Sequence, residues 1–77
     1  LPDATGAGME GCEVTVIAKG SMITVTCAVA GQMTDLDSAY VNYDYAEVGG
    51  NNLSAKAVFT VVGGEWCAEW FGNVAFF

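Results

Sequence analysis

The stretch CEVTVIAKGSMITVTCAV, residues 12–29, alternates between two sets of side chains on either side of a short break. Apolar, mostly β-branched residues fall on every second position through most of residues 12–18 and again through residues 21–29. A period of two rich in β-branched residues is typical of half-buried strands. Residues 19–21 (Lys-Gly-Ser) have the composition of a tight turn. The stretch therefore predicts a β-hairpin over residues 12–29.

Two registers of this hairpin keep the apolar faces together. A turn centred on residues 20–21 places Val14 opposite Cys27, and type II′ geometry favours it because glycine takes the first central position. A turn centred on residues 19–20 places Cys12 opposite Cys27. A disulfide would favour that second register, since a bridge needs a Cβ separation of about 4 Å. Both registers, and with them a Cys12–Cys27 bridge, stay open.

A second hairpin is predicted over residues 55–71. Two alternating runs flank Gly63-Gly64, which is a strong two-residue hairpin connection. In that register one face carries Ala57, Phe59 and Val61 opposite Trp70, Ala68 and Trp66. The other face carries Lys56, Val58, Thr60 and Val62 opposite Phe71, Glu69, Cys67 and Glu65. Both faces hold apolar groups, so we expect the pair to be covered on both sides.

Residues 34–48 carry helix signals at both ends. Thr34 with Asp37 resembles a capping box, and Gly49-Gly50 supplies a C-cap. The rival interpretation is a strand, because residues 41–45 (Val-Asn-Tyr-Asp-Tyr) alternate and are aromatic. The caps favour a helix.

One helix and two hairpins in 77 residues predict a single α+β domain, in which an antiparallel sheet packs on the helix and a partner chain completes the layer. Residues 1–11, with three glycines and the only proline, are predicted to be an irregular arm. Residues 72–77 form a tail whose aromatic end should tuck into a groove of this domain or of a partner. Asn52 begins an Asn-Leu-Ser pattern and is a candidate glycosylation site.

The composition argues against catalysis and nucleic-acid binding. The chain has nine acidic residues and only two basic ones, Lys19 and Lys56, so its net charge is −7. It contains no Arg and no His. Nucleic acids require clustered cations, which this chain lacks. The absence of His removes the commonest general base and metal ligand. Without Cys-x-x-Cys spacing there is no zinc or thioredoxin motif. We expect a non-enzymatic protein without cofactor or metal.

The three cysteines and the first residue suggest an extracellular protein. Leu1 is not Met and no long apolar run is present, so we expect a processed, secreted product. Cysteines in a short chain suit an oxidising compartment. Three is an odd number, so one thiol at least is buried, free or paired with a second chain. The disulfide candidates are Cys12, Cys27 and Cys67.

Apolar residues make up 53% of the chain, and charged residues make up 14%. The chain therefore has more apolar surface than the core of so small a domain can bury. We therefore expect a partner chain. The interface candidates are Trp66, Trp70, Phe71, Phe76 and Phe77.

Crowding of like charges predicts a dependence on pH and salt. Repulsion should raise carboxylate pKa values in the folded state, so that stability is present in acid and is lost as pH rises through the raised values. Salt would replace protons in part, because the Debye length falls to about 3 Å at 1 M. The candidate pH-sensing carboxylates are Glu13, Asp35, Asp37, Asp44, Glu65 and Glu69.

In size and character the chain resembles the β subunit of the yeast salt-mediated killer toxins. The resemblance is carried by the start Leu1-Pro2-Asp3, the three cysteines, the acidic excess and the end Phe76-Phe77. It implies an α/β sandwich of split β-α-β type and a hydrophobic companion chain cut from the same precursor. It also implies membrane damage to sensitive yeast cells in acid and salt, through the companion. If the two chains associate without a covalent link, Cys67 is intrachain or free.

Two other classes remain as alternatives. A self-assembling structural or coat subunit would use the same apolar surplus, and open polymers would distinguish it from a defined heterodimer. A small extracellular inhibitor or ligand-binding module would bind a target and leave membranes intact.

Overall fold

The computed structural model describes residues 1–36 and 41–77, which form seven strands in two sheets. The strands are β1 (Glu13–Ala18), β2 (Ile23–Thr26), β3 (Met33–Asp35), β4 (Tyr45–Val48), β5 (Ala55–Val62), β6 (Glu65–Gly72) and β7 (Val74–Phe76). The described residues contain no helix. The α+β prediction is therefore wrong, and the described chain is an all-β, two-sheet structure.

The helix predicted over residues 34–48 is replaced by β3, a bridge and β4. Tyr43 pairs with Met33, its backbone N donating to the Met33 carbonyl at 2.7 Å, and β4 follows directly. Caps contribute only about 0.5–2 kcal/mol each, so strand pairing with distant residues outweighs them. Of residues 41–45, for which alternation gave the rival strand interpretation, Tyr43 forms the bridge and Tyr45 begins β4. Residues 37–40, including the proposed cap Asp37, lie outside the described residues.

The larger sheet has the order β1-β5-β6-β3, with β3 parallel to β6 and the other pairs antiparallel. The β5–β6 hairpin turns at Gly63 and Gly64, whose φ values of 61° and 79° suit a type I′ turn. Its register places Phe59 opposite Ala68 and Val61 opposite Trp66. The register predicted from the sequence for residues 55–71 is confirmed.

The hairpin predicted over residues 12–29 is wrong, although both of its strands exist. β1 pairs with β5 in the larger sheet, and β2 pairs with β4 in a second sheet of order β2-β4-β7. The segment between β1 and β2 carries the chain from one sheet to the other. Alternation within a strand shows which residues share a face but not which strand lies beside it, so the pairing of β1 and β2 could not be read from it.

The core lies between the two sheets. Its largest fully buried side chains are Trp66, Phe59, Met33, Val48 and Val61. The two-residue period of a strand explains why these side chains share the core, and β5 shows it most clearly. Its even-numbered residues point outward, and its buried residues are the odd-numbered ones, Ala55, Ala57, Phe59 and Val61.

The irregular arm, residues 1–11, is held to the rest of the domain by hydrogen bonds. The Leu1 nitrogen donates to the Thr26 carbonyl at 2.6 Å, and the indole of Trp66 donates to the Pro2 carbonyl at 2.8 Å. Ala4 is 3% exposed, and its amide donates to the side chain of Gln32 at 2.9 Å. The arm thus has no strand of its own but is part of the packed structure.

The C-terminal tail is also ordered. Residues 74–76 form β7, which pairs with β4. Phe76 packs edge-on to Trp70 at a centroid distance of 5.0 Å, and Phe77 stacks on Tyr45 at 4.9 Å. Both phenylalanines therefore contact groups of this domain, as expected for an apolar terminus that does not fray.

Candidate binding face on the four-stranded sheet

The side of β1, β5 and β6 that points away from the second sheet forms one continuous surface, which we call the outer face. Strand register arranges it in rows: Ile17–Lys56–Phe71, Thr15–Val58–Glu69, Glu13–Thr60–Cys67, and Val62–Glu65. Three of its apolar side chains are well exposed, with Phe71 at 67%, Ile17 at 64% and Val62 at 58%.

Ile17 and Phe71 flank Lys56 in the same row of the outer face. Cross-strand neighbours lie about 5 Å apart at Cβ, so these two apolar side chains stand on either side of one ammonium group. Glu69 projects from the next row and Glu13 from the one beyond. Exposed apolar side chains with Lys56 between them and acidic residues in the neighbouring rows form a mixed apolar and charged patch, and such patches mark protein–protein contact surfaces.

The sequence-predicted interface residues separate into two groups. Trp66 is 1% exposed and lies in the core, so it is not available to a partner. Trp70 and Phe76 are half-buried against each other, and Phe77 is half-exposed in its stack on Tyr45. Among these five aromatic side chains, Phe71 alone projects from the outer face.

The candidate pH-sensing carboxylates do not form one cluster. Glu13, Glu65 and Glu69 lie on the outer face, where the side chain of Asn42 donates to Glu65 at 3.1 Å. Asp35 is buried in β3, and Asp44 is exposed beside β4.

The pKa of Asp3 moves opposite to the direction that charge crowding predicts. Hydrogen bonds from Gln32 first, and then from Thr5, lower it below the ordinary value of an aspartate. The crowding expectation is therefore wrong at this carboxylate, because these hydrogen bonds lower the pKa by more than desolvation raises it.

Tyr43 is coupled to the buried Asp35. Its pKa is raised, chiefly by desolvation, then by the negative charge of Asp35 and a hydrogen bond to that carboxylate. Tyr43 also contacts the ring of Phe76, at a centroid distance of 5.3 Å. This group ties β3 to β7.

The three cysteines are free thiols. Cys12 is exposed, and its thiol donates to the Gly8 carbonyl at 3.6 Å. Cys27 is half-buried; burial is the main cause that raises the pKa of its thiol, with the Leu1 amino group opposing and Asp44 reinforcing the shift. Cys67 is half-buried on the outer face between Thr60 and Thr34. Neither register predicted for Cys12 and Cys27 occurs, because β1 and β2 do not pair.

Asn52 lies in the two-residue turn between Gly50 and Leu53 with a φ of 60°. Its side chain is exposed, and its backbone amide donates to Gly20 at 3.0 Å. The predicted acceptor is therefore accessible at the surface.

Within residues 1–36 and 41–77, no group of three His, Cys, Asp or Glu side chains is placed to hold a metal ion. The same part of the chain has no helix with the length and apolar character needed to cross a bilayer. No family model, curated protein or solved structure matches the chain. The arrangement of the outer face therefore carries the functional argument.

Sequence reasoning named Phe71 but missed Ile17 and Val62 as binding residues. The available signal was their position: each is a large apolar residue on a side of its strand that also carries polar residues, Glu13 and Thr15 beside Ile17, and Lys56 and Thr60 beside Val62. A large apolar side chain on the outward side of a strand marks an exposed apolar patch, once it is known which side of the strand points inward.

Proposed function

We propose that this chain is a non-enzymatic binding subunit whose outer face is covered by a companion protein chain. The observation that carries the proposal is the exposure of Ile17 and Phe71, each about two-thirds open, in one row of a regular sheet. Burying the exposed part of each side chain would contribute roughly 1–2 kcal/mol.

The outer face also defines the chemistry of the companion. A stable interface buries about 800 Å² per partner, roughly a fifth of this protein's 4346 Å² surface. Net charge of −7 disfavours an acidic partner and steers a basic one toward the surface. We therefore propose a companion that is apolar at its centre and carries Lys or Arg at its rim, opposite Glu13 and Glu69.

The test is the composition of the secreted protein. The complete open reading frame would be expressed in a yeast host, and the product's mass and chain content measured by light scattering and mass spectrometry. We expect a 1:1 complex with a second chain, weakened at least about tenfold by Phe71→Ser. Met22→Ser is the matched control, because Met22 is 50% exposed but lies outside the outer face. A solitary chain, or equal effects of the two substitutions, would contradict the proposal.

The resemblance to salt-mediated killer toxins supports a finer proposal, that the complex damages the membranes of yeast cells. The acidic charge and the apolar outer face support it, whereas the split β-α-β fold is not found in the described residues. The assay is dye release from vesicles of yeast lipids, in acidic and in neutral medium at high salt. Release that requires both chains would support a toxin; intact vesicles would leave a binding subunit without this activity.

A further inference from the structure

The four edge strands of the two sheets differ in how they are covered. β3 and β7 have three residues each, and β2 has four, with Leu1 bonded along its outer side to Thr26 and Ala28. β1, with six residues, is the longest edge. Long edges invite pairing with another strand, and proteins commonly blunt them by shortening, covering or charging them.

The backbone groups that β1 presents to its open side follow from the bulge at its start. Gly11, at φ 83°, donates to the Val61 carbonyl at 2.9 Å, while the Val61 amide donates to Cys12 at 2.9 Å. This is a G1 bulge. Because alternate residues of an antiparallel strand bond to the same neighbour, the bulge fixes which residues of β1 bond to β5. Val14 and Val16 bond to β5. The N–H and C=O groups of the intervening residues therefore point away from the sheet.

Those outward-pointing groups belong to Glu13, Thr15 and Ile17, and none of them has a backbone partner among the described residues. Residues 13–18 contain no proline, no lysine and no further bulge. Apart from the charge of Glu13 and the bulge that precedes it, the usual devices that prevent strand addition are absent from this stretch. Glu13 is its only charge.

A second observation at the same edge is the exposure of Val14. Its side chain points inward, yet it is 36% exposed, whereas Ala18 on the same side of β1 is 1% exposed. The inner side of β1 is therefore less covered at Val14 than at Ala18. A strand added at the edge would shield Val14.

We propose that a second copy of this chain adds to β1, antiparallel strand to strand, and forms a two-fold dimer with a continuous eight-stranded sheet. Charge complementarity selects the register. With Val16 opposite Val16 of the second copy, Thr15 faces Ile17, and Glu13 lies opposite Lys19, the exposed residue directly after β1, twice by symmetry. In the register shifted by one residue on each strand, Thr15 lies opposite Thr15 of the second copy. Glu13 then lies opposite Ile17, and neither Glu13 nor Lys19 has a partner of opposite charge.

This dimer differs from open assembly in a definite way. The same edge serves both copies, so the contact is isologous and closes after two chains. It also goes beyond the proposed function, because it uses a strand edge and leaves the outer face of each copy free. The dimer brings Ile17 of one copy beside Thr15 of the other and so widens that face.

Salt should strengthen the association. Two chains of charge −7 repel each other over distances longer than the Debye length of about 10 Å at 0.1 M salt. The contact pairs of Glu13 with Lys19 lie within that length and are screened less than the long-range repulsion. The dimer is therefore expected to tighten as salt rises.

The test is sedimentation equilibrium of the full chain over a range of concentrations at low and high salt. We expect a monomer–dimer equilibrium that shifts to dimer with salt. Thr15→Pro removes an outward-pointing N–H and none of the hydrogen bonds to β5, so it should leave the monomer folded and weaken the dimer at least about tenfold. A chain that stays monomeric at every salt concentration, or that forms open polymers, would overturn the inference.

Charge exchange decides the register and does not depend on the fold tolerating proline. Glu13→Lys changes the net charge by +2, from −7 to −5, and so lowers repulsion, yet it should weaken the dimer. Lys19→Glu changes it by −2, to −9, and should also weaken it. The double variant returns to −7 and should recover the dimer. A double variant as weak as the single ones would refute the pairing of Glu13 with Lys19. Because sedimentation is measured on this chain alone, with no companion present, these results are independent of the companion-chain test, although Glu13 also lies on the outer face.

Discussion

Replacing Gln32 by Leu should release the N-terminal arm from the domain. The Gln32 side chain accepts a hydrogen bond from the Ala4 amide at 2.9 Å and donates to Asp3 at 2.8 Å. Ala4 is 3% exposed and Gln32 is 9% exposed, so the amide has no access to water while the arm stays docked. Leaving a buried amide without an acceptor costs about 1–3 kcal/mol. The bond to Asp3 is part-buried and is lost in the same variant.

The loss should be visible in equilibrium unfolding. For a domain of this size, each kcal/mol of lost stability lowers Tm by roughly 4–8 °C. Urea unfolding followed by tryptophan fluorescence measures the free energy, and hydrogen exchange at the Ala4 amide reports the arm directly. Asn42→Ala is the matched control, because its exposed side-chain amide donates to Gly31 at 2.9 Å and should contribute less than about 1 kcal/mol.

The pH dependence provides a second readout of the same contact. A lowered Asp3 pKa contributes stability that is present above the unfolded value, near pH 4, and is lost as pH falls through the lowered folded value. Gln32 is the largest cause of that shift, so Gln32→Leu should flatten the acid limb of the stability profile. Equal stability of the Leu variant and the Asn42 control, with unchanged exchange at Ala4, would refute this account of the arm.

Three further predictions concern the core, the sheet connection and the thiols. Gly49→Ala should lower the free energy of unfolding in urea by about 2–5 kcal/mol, because the φ of Gly49 is 81° and a Cβ there would lie 2.6 Å from a side-chain carbon of β1. Gly20→Ala is the control, since Gly20 has a φ of 83° but lies in open space, and it should lower the free energy by only about 1–2 kcal/mol. Similar losses in the two variants would contradict the steric argument. Phe59→Leu, at a fully buried position, should lower Tm by an amount equivalent to about 1–2 kcal/mol, and an unchanged Tm would place Phe59 outside the core. Iodoacetamide should alkylate exposed Cys12 before Cys27, whose burial and raised pKa reduce its thiolate fraction; peptide mass spectrometry measures both rates, and equal rates would contradict the assigned burial.

Part of the candidate site was predictable from the sequence. The alternation of residues 65–71 and the Gly63-Gly64 turn assign Phe71 and Glu69 to one side of the hairpin, and the structure has that register. The same pattern could not show that Trp66 belongs to the buried side, because both sides of the hairpin carry large apolar residues. Only the position of the second sheet distinguishes the core side from the outer one.

The sequence by itself determined where β1, β5 and β6 run, which residues share a side, and the register of one hairpin. These properties depend on the two-residue period of the backbone and on glycine at positive φ, both of which are local. The acidic charge and the lack of His and Arg were equally fixed by composition.

The tertiary structure alone decided which strands pair. β1 bonds to β5, some forty residues away along the chain. Residues 45–48 form a strand between β2 and β7, although the sequence has helix-cap signals at both ends of residues 34–48. The physical reason is that caps and turns contribute about 1 kcal/mol each, whereas a strand gains a whole ladder of hydrogen bonds and a buried face from partners far along the chain. Local signals place strands, and burial between distant residues chooses their neighbours.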